Sequence, residues 1–187
     1  RDSGLRDGME IEGLARDGGN GRRVLVEVTK AGGMEPEKYK ALPHFMDLVS
    51  IYPSEAFELS GEGSEISLRV IDIIAPVGKG QRGLIVSPPK AGKTTLLEHL
   101  GKAIVQRHPD VHLILLLVDE RPEAVTHFRR VVPAEVLAST SDSSSDSHIR
   151  LSRLAIERAK RLVEAGRHVV ILLDSLTRLG RASNREM

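Results

Sequence analysis

Cysteine and tryptophan are absent from the 187 residues, and aromatic residues are limited to two tyrosines and three phenylalanines. Without cysteine the chain can form neither a disulfide nor a thiolate metal site, and such usage is typical of a reducing compartment. No apolar run approaches the roughly 20 residues of a membrane-spanning helix, and the longest, Leu113 to Val118, has the length of a strand. The chain also opens without a signal or transit pattern. We therefore expect a cytoplasmic protein with no membrane contact.

The formal net charge is only +1, and 40% of the residues are hydrophobic. The charge balance by itself favours neither a nucleic-acid partner nor an acidic one. The hydrophobic fraction suffices for a packed core, and the length allows one full domain with a small or partial second one.

The first 34 residues show the pattern of a β-hairpin. Alternation over residues 9–13 and the apolar run over 24–28 predict two strands, and a glycine-rich cluster at 17–21 predicts the turn between them. An isolated hairpin is marginally stable in water, so we expect residues 1–34 to be the last part of a β domain. Residues 35–65, with several prolines and little periodicity, are expected to form a connector.

From residue 66 onward, nearly continuous apolar runs alternate with helical patterns, as in a parallel sheet covered by helices. Strands are predicted at Leu68–Ile74, Gly83–Ser87, Leu113–Asp119, Val136–Ala138 and Val169–Asp174. Helices are predicted at Lys93–Gln106, Pro122–Val131 and about Ser147–Ala165. The serine-rich stretch 139–147 favours a flexible loop that ends in a helix cap.

The segment Ser87–Thr94 (SPPKAGKT) lies between a predicted strand and a predicted helix. This is the position of a phosphate-binding loop, whose backbone N–H groups and helix dipole attract phosphate. Lys93 is expected to neutralise the β- and γ-phosphates of ATP, and the Thr94 hydroxyl to ligate Mg²⁺. Ser87 occupies the place of the first glycine in the usual pattern. The alternative is an ordinary strand-to-helix turn that contains Gly-Lys-Thr.

Two predicted strands end in acidic residues. Ligands of parallel sheets gather at the carboxyl ends of the strands, so both acids are expected near one ligand. Asp174 suits the carboxylate that holds the Mg²⁺ hydration shell, and Glu120 suits the group that orients the attacking water. Taken singly, each acid is better explained as a strand-end or helix-capping carboxylate, but the presence of both acids and the phosphate-loop pattern in one α/β unit makes that explanation the weaker one.

Three segments together resemble the bacterial transcription termination factor Rho family: residues 78–94, 118–123 and 172–179. The double proline before Lys90 and the Asp-Glu-Arg-Pro run from Asp119 distinguish this family from ordinary ATPases, and the family accepts a small non-glycine residue at Ser87. The similarity covers almost the whole chain, as a fragment of the family's length. It implies a RecA-like ATPase domain, here incomplete, in a homo-hexameric ring that hydrolyses ATP, moves along single-stranded RNA and releases transcripts from RNA polymerase.

The resemblance also implies roles for individual positions. Glu120, Lys93 and Arg121 would be catalytic, and Thr94 and Asp174 would serve Mg²⁺. Arg178 and Arg181 fall in the stretch that lies near the subunit interface in this family. The nucleotide would be lined by Gly78, Lys79, Gly80, Gln81, Arg82, Gly83, Lys90, Ala91, Gly92, Lys93, Thr94, Thr95 and Arg121.

By the same resemblance, the hairpin corresponds to the last strands of an OB-type oligonucleotide-binding barrel. Such barrels stack bases on aromatic side chains, but residues 1–34 contain none, so the stacking platform lies upstream or has been lost. Arg22 and Arg23 would contact RNA phosphates, or else they belong to a solvated strand pair.

Two further functional interpretations remain open: a different RecA-like motor, and a non-catalytic RNA-binding paralogue of Rho. In the family, the arginine that closes the ATP site and the RNA-gripping loops lie beyond the position of Met187. We therefore expect the 187-residue chain alone to hydrolyse very little ATP.

Overall fold

The computed structural model describes residues 4–88 and 90–184. Its contacts divide the chain into two units. The first, called here the hairpin unit, contains the residues up to Leu48 together with Arg153–Arg167. The second, the sheet unit, contains Val49–Ser152 together with the residues from His168 onward.

The hairpin unit begins with two antiparallel strands, β1 (Ile11–Asp17) and β2 (Arg23–Ala31). Their turn is closed by the Gly18 N–H, which donates to the Arg22 carbonyl at 2.8 Å. A short helix α1 (Pro36–Lys40) and a single 3-10 turn (Phe45–Asp47) follow. The predicted hairpin is confirmed, with strands longer than the sequence pattern indicated. Its interpretation as the end of a barrel stays a prediction.

A buried carboxylate holds the hairpin unit together. Glu164 is the last residue of helix α5 (Ser145–Glu164), and its side chain is fully buried. Arg6 donates to both of its carboxylate oxygens, at 2.9 and 2.8 Å. Arg161 donates to it at 2.9 Å, and so does the Phe45 N–H at 2.8 Å. Because buried charge is tolerated only when it is paired, this cluster fixes the chain before β1 against α5.

The sheet unit is built on three parallel strands: β3 (Val111–Glu120), β4 (Glu135–Thr140) and β5 (His168–Asp174). Their order is β4-β3-β5. The central strand β3 is the most deeply buried, and Ile114, Leu115 and Leu117 have no exposed surface. A strand covered on both faces carries a continuous apolar run, which explains why these three strands were predicted.

Helices α3 (Lys93–Arg107) and α4 (Pro122–Val131) pack on the sheet. One apolar cluster joins them to β3 through Leu97, Leu115 and Phe128. Glu98 connects the two helices at the surface, because it lies 2.9 Å from His127 Nε2 and 2.5 Å from Lys102 Nζ. The bounds predicted for α4 are confirmed at both ends, and those of α3 and α5 within two residues. Helix α6 (Leu176–Asn184) was not predicted.

The strand predicted at Leu68–Ile74 is wrong, because this segment lies in helix α2 (Ile66–Ile74). Leu68 is buried and Ile71 packs on the apolar cluster around Phe57, whereas Ile73 is 80% exposed. The three-residue spacing of the two inward-facing residues is helical. Isoleucine and valine favour strands only where a pleated neighbour is present, and this segment pairs with none in the described chain.

The strand predicted at Gly83–Ser87 is also wrong, since these residues take part in no strand ladder of the described chain. Leu84 is 73% exposed and Val86 is 84% exposed. An apolar run forms a strand only when a neighbour pairs with its N–H and C=O groups. Within the described ranges, no helix is both long enough and apolar enough to cross a membrane.

Candidate nucleotide-binding and catalytic site

In the loop before α3, the chain enters the helix through a glycine in the left-handed conformation. Gly92 is the residue before the helix, and its φ of +88° lies in the left-handed region, which glycine adopts without steric cost. The Leu96 N–H donates to the Gly92 carbonyl at 2.9 Å, which begins the helical hydrogen-bond series. The free N–H groups of the first turn therefore point out of the helix start, where an anion is stabilised.

Lys93, the first residue of α3, forms an ion pair and a hydrogen bond with Asp174. The Lys93 side chain is 33% exposed and that of Asp174 only 3%. Asp174 ends β5, so this contact joins the helix start to the carboxyl end of the sheet. The two residues that the sequence assigned to phosphate and to the Mg²⁺ shell are thus brought together.

Glu120 ends the neighbouring strand β3 at the same end of the sheet. Leu117 is the register partner of Asp174, so Glu120 lies three residues further along a parallel strand. Its side chain is 16% exposed and lies 3.5 Å from Arg178 of α6. The same guanidinium is 4.0 Å from Asp119. Two acids from adjacent strands and two cations from helix starts therefore collect at one edge.

The nucleotide residues predicted before the loop make their contacts elsewhere. Lys79 pairs with Glu55 at 2.5 Å, and its backbone N–H donates to the Glu55 carbonyl at 2.8 Å. The Gly78 N–H donates to the side chain of Gln81 at 2.8 Å, which closes a tight turn over residues 78–81. Gly80 lies in this turn, and Arg82 and Gly83 follow it as exposed residues.

The other predicted residues lie around the start of the two helices. Lys90, Ala91 and Gly92 form the exposed end of the loop, and Thr94 and Thr95 lie in the first turn of α3. Arg121 is exposed and directly precedes α4. Arg22 and Arg23 are exposed in the turn and first residue of β2 in the hairpin unit.

The protein groups available to a cation at the site are few. In residues 4–88 and 90–184, no three His, Asp or Glu side chains converge as a ready-made metal cage. The site offers one buried carboxylate, Asp174, and a hydroxyl, Thr94, in the first turn of α3, whose free N–H groups are suited to phosphate. This donor set fits Mg²⁺, which keeps most of its waters and is bound through one or two carboxylates and the phosphates of its substrate.

Sequence patterns did not reveal two residues next to this acid-bearing strand end. Asp119, which precedes Glu120, has a φ of +56°. Its N–H donates to the hydroxyl of the buried Ser139 at 3.4 Å, and Ser139 Oγ in turn lies 2.8 Å from Nδ1 of the buried His148. Serine and histidine at these positions carry no motif. The pairing of β3 with β4 places Ser139 beside Asp119, and the first turn of α5 places His148 beside Ser139.

Comparison with known proteins places this site in a family of nucleotide-binding domains. The model of the ATP synthase alpha/beta family, nucleotide-binding domain, matches residues 67–187. The chain is 52% identical to transcription termination factor Rho of Streptomyces coelicolor over 98% of its length, which is 43% of that relative. Rho of Aquifex aeolicus is 49% identical, with 97% of this chain and 43% of the relative covered. For Rho of Mycobacterium tuberculosis the identity is 47%, with 98% and 32% covered.

Two solved structures share the fold. An ATPase from the type III secretion system of pathogenic bacteria superimposes with a TM-score of 0.61 at 25% identity, covering 74% of this chain and 39% of that one. The ATP synthase subunit NeqB from Nanoarcheaum equitans gives a TM-score of 0.57 at 23% identity, covering 70% and 33%.

The chain therefore spans less than half of the length of the Rho relatives it matches. The predicted resemblance to Rho and the α/β nucleotide-binding fold are both confirmed. By its sequence and its fold, this chain belongs to the ATP synthase alpha/beta family, through that family's nucleotide-binding domain.

Proposed function

We propose that this chain is the ATPase portion of an ATP-dependent RNA translocase that terminates transcription by releasing nascent RNA from RNA polymerase. The observation that carries the proposal is the contact of Lys93 with Asp174 at the sheet end where Glu120 also lies. The names of the relatives support the assignment to termination. The sequence-derived boundaries, 1–34 for RNA binding, 35–65 for the connector and 66–187 for the ATPase domain, form part of the proposal.

The reaction is attack of water on the γ-phosphorus of ATP, which gives ADP and inorganic phosphate. Glu120 orients the attacking water and accepts its proton, because it is the carboxylate at the end of the central strand. The Lys93 ammonium leaves Asp174 for the β- and γ-phosphate oxygens and neutralises charge there. The N–H groups at the start of α3 hold the same phosphates.

Thr94 and Asp174 are the residues that would hold Mg²⁺, Thr94 through its hydroxyl and Asp174 through the hydration shell. When bound, this ion supplies positive charge between the β- and γ-phosphates. The remaining residues that line the nucleotide are those of the segment 78–83, the loop 90–92, Thr95 and Arg121. Arg121 contacts phosphate in this proposal, and its position directly before α4 supports the role.

The partners in this proposal are single-stranded RNA and RNA polymerase, and the working form is a homo-hexameric ring in the cytoplasm. A neighbouring subunit completes each ATP site with an arginine that stabilises the transferred phosphoryl group. Arg22 and Arg23 of the hairpin unit contact RNA phosphates.

A second candidate is a ring motor that acts on another substrate. It is favoured by the family model, which is that of ATP synthase subunits, and by the likeness to a secretion ATPase. The two candidates share the reaction and differ only in what stimulates it.

The decisive experiment measures ATP hydrolysis by the whole protein, as its gene encodes it, with and without single-stranded RNA. We expect RNA to stimulate turnover, and the Glu120→Gln variant to lose at least about 100-fold in kcat while it still binds ATP. Glu123→Gln, in the first turn of α4, is the matched control and should retain wild-type turnover.

Each alternative gives a different result. ATP hydrolysis that does not change when single-stranded RNA is added favours the second candidate, a ring motor that acts on another substrate. A protein that binds RNA but hydrolyses no more ATP than its Glu120→Gln variant is a non-catalytic paralogue, and this result contradicts the proposed function.

A further inference from the structure

Strand β3 contains a bulge immediately before Glu120. Its parallel pairing with β4 is regular from Ile114 to Leu117, where Leu117 faces Ala138, and resumes where Glu120 faces Thr140. Two residues of β3, Val118 and Asp119, therefore lie opposite one residue of β4, Ser139. Bulges are frequent beside active sites because they redirect the side chains that follow them.

The backbone at the bulge is strained. Asp119 has a φ of +56°, a left-handed conformation that residues other than glycine adopt rarely, although aspartate tolerates it better than most. Such a conformation persists only when its surroundings hold it in place. The direction of the Glu120 side chain thus depends on whatever holds the Asp119 peptide.

Strand β4 and the residue that follows it hold this segment at two points. The Asp119 N–H, which the bulge removes from the ladder, donates to the Ser139 hydroxyl at 3.4 Å, the long end of the hydrogen-bond range. One residue beyond β4, the Ser141 N–H donates to the Glu120 carbonyl at 3.1 Å. A partly buried N–H that loses its acceptor costs free energy, so the hydroxyl stabilises the bulged geometry.

The Ser139 hydroxyl is fixed in turn by His148. The His148 Nδ1 lies 2.8 Å from Ser139 Oγ, and both residues are buried, with 6% and 7% exposure. A hydroxyl donates one hydrogen bond and accepts two, so it serves Asp119 and His148 at the same time with either tautomer of the ring. His148 itself is held in the first turn of α5, where its N–H donates to the Ser144 carbonyl at 3.2 Å.

We infer that Ser139 and His148 are positioning residues for Glu120, acting in series through the Asp119 N–H. This inference rests on the proposed function, in which Glu120 orients the attacking water. Neither side chain is proposed to contact ATP or the attacking water. Their contribution is to keep the bulge, and thereby the carboxylate, in the geometry that hydrolysis requires.

The test uses RNA-stimulated ATP hydrolysis by the whole protein. Ser139→Ala is expected to lower kcat about five- to tenfold, the effect of one ordinary hydrogen bond. The KM for ATP should stay close to wild type, and the melting temperature should fall by no more than a few degrees, the cost of one ordinary hydrogen bond. Ser143→Ala, in the turn that follows β4, removes a hydroxyl outside this series and should leave all three values unchanged.

Three further comparisons separate a positioning role from a general structural role. His148→Asn keeps a polar atom near the position of Nδ1 and should retain activity, whereas His148→Gln, whose amide reaches the position of Nε2, should resemble Ser139→Ala. In the Glu120→Gln background, single-turnover hydrolysis should not respond to Ser139→Ala, because there is no carboxylate left to position. The double variant Ser139→Ala/His148→Ala should be no slower than the worse single variant.

The outcomes distinguish the two hypotheses. If the whole wild-type protein shows no RNA-stimulated hydrolysis, the proposed function fails and this inference fails with it. If wild type is active and Ser139→Ala hydrolyses ATP equally fast, only the positioning role is overturned. A fall in melting temperature and ATP affinity together with kcat, or an equal loss in the Glu120→Gln background, also overturns it. Should Ser139→Ala not fold, the His148→Asn and His148→Gln pair decides.

Discussion

The guanidinium of Arg178 lies 3.5 Å from a carboxylate oxygen of Glu120, so a helix that follows β5 reaches across to the end of β3. It also lies 4.0 Å from Asp119. A cation at this distance attracts the carboxylate and restricts its movement. Glu120 needs a fixed position to act on water.

We therefore predict that Arg178→Met lowers kcat for ATP by about tenfold, which corresponds to about 1.4 kcal/mol of lost electrostatic support for Glu120. Nucleotide affinity should change by less than about threefold on the same reasoning, because the interaction is made with the protein and not with ATP. Steady-state hydrolysis and equilibrium binding of a fluorescent nucleotide measure the two quantities. Arg129→Met on α4, an exposed arginine, is the control. A variant that loses affinity and keeps kcat would show that Arg178 contacts nucleotide instead.

The Lys93–Asp174 ion pair leads to a prediction about Mg²⁺. Phosphate and Asp174 compete for the same ammonium, and Asp174 is also the proposed support of the Mg²⁺ shell. Asp174→Asn should raise the Mg²⁺ concentration needed for half-maximal hydrolysis by at least about tenfold, since 10- to 100-fold losses are usual for partners of metal ligands. Binding of ATP in EDTA should be unchanged or tighter. Asp110→Asn, directly before the first residue of β3 and far from the acidic strand end, serves as the control. Weaker binding of ATP by Asp174→Asn in EDTA would contradict the competition.

Arg22 and Arg23 are exposed on the hairpin, where they are proposed to meet RNA phosphates. If each neutralises one phosphate, replacing both by alanine should reduce the slope of log affinity against log salt by about 1.4 for single strands, and weaken binding about tenfold near 0.15 M salt. Fluorescence anisotropy with labelled single-stranded RNA at several salt concentrations measures both effects. Lys38→Ala, an exposed lysine in α1, is the control. An unchanged slope would assign the two arginines to a solvated surface.

The contacts of Glu98 predict a pH-dependent contribution to stability. A hydrogen bond from Lys102 and a smaller contribution from a hydrogen bond with His127 lower the pKa of Glu98 below its ordinary value. A carboxylate whose pKa is lowered in the folded state stabilises that state above its unfolded pKa of about 4.3, and the contribution is lost as the pH falls through the lower folded value.

Glu98→Gln should accordingly lower the free energy of unfolding by up to about 1 kcal/mol at pH 7. The difference from wild type should shrink as the pH falls below about 4.3. Urea unfolding from pH 7 to pH 3 provides the measurement, with the exposed Glu62→Gln as control. A difference that stays constant over this range would mean that the variant acts through packing and not through charge.

Glu164 gives the largest expected effect on stability in the hairpin unit. Removing its charge leaves the guanidiniums of Arg6 and Arg161 without their common buried partner. Breaking a buried ion pair from one side costs about 3–5 kcal/mol. Glu164→Gln should therefore unfold at distinctly lower urea concentration, whereas Glu37→Gln, in an exposed pair of α1, should not. Equal midpoints for the two variants would show that the cluster contributes little.

Sequence patterns predicted the parts of this chain whose structure is set locally or by continuous burial. The apolar runs of β3 and β5 identify strands of a parallel sheet, and Pro122 marks the first turn of α4. The acids Glu120 and Asp174 follow from the same logic, because strand ends in a parallel sheet meet at one edge. The contact of Lys93 with Asp174 agrees with that expectation.

The errors arise where distant pairing decides the structure. Residues 68–74 and 83–87 have strand-like composition, but composition does not say whether a partner strand is present. The bulge at Asp119 cannot be recognised from the sequence for a related reason, because it is defined only by the pairing of β3 with β4. The contacts of Ser139, His148 and Arg178 with this region depend on that alignment and on the path of the chain after β5.

Between Leu117 and Glu120, strand β3 carries one residue more than its neighbour needs. Deleting that residue would give an evenly paired strand and leave the preceding apolar contacts intact. It would also change the direction of the carboxylate, because the bulge bends the strand just before Glu120. Natural variants should therefore tolerate substitutions at these positions far better than a deletion or an insertion, even where a variant with one residue fewer is equally stable.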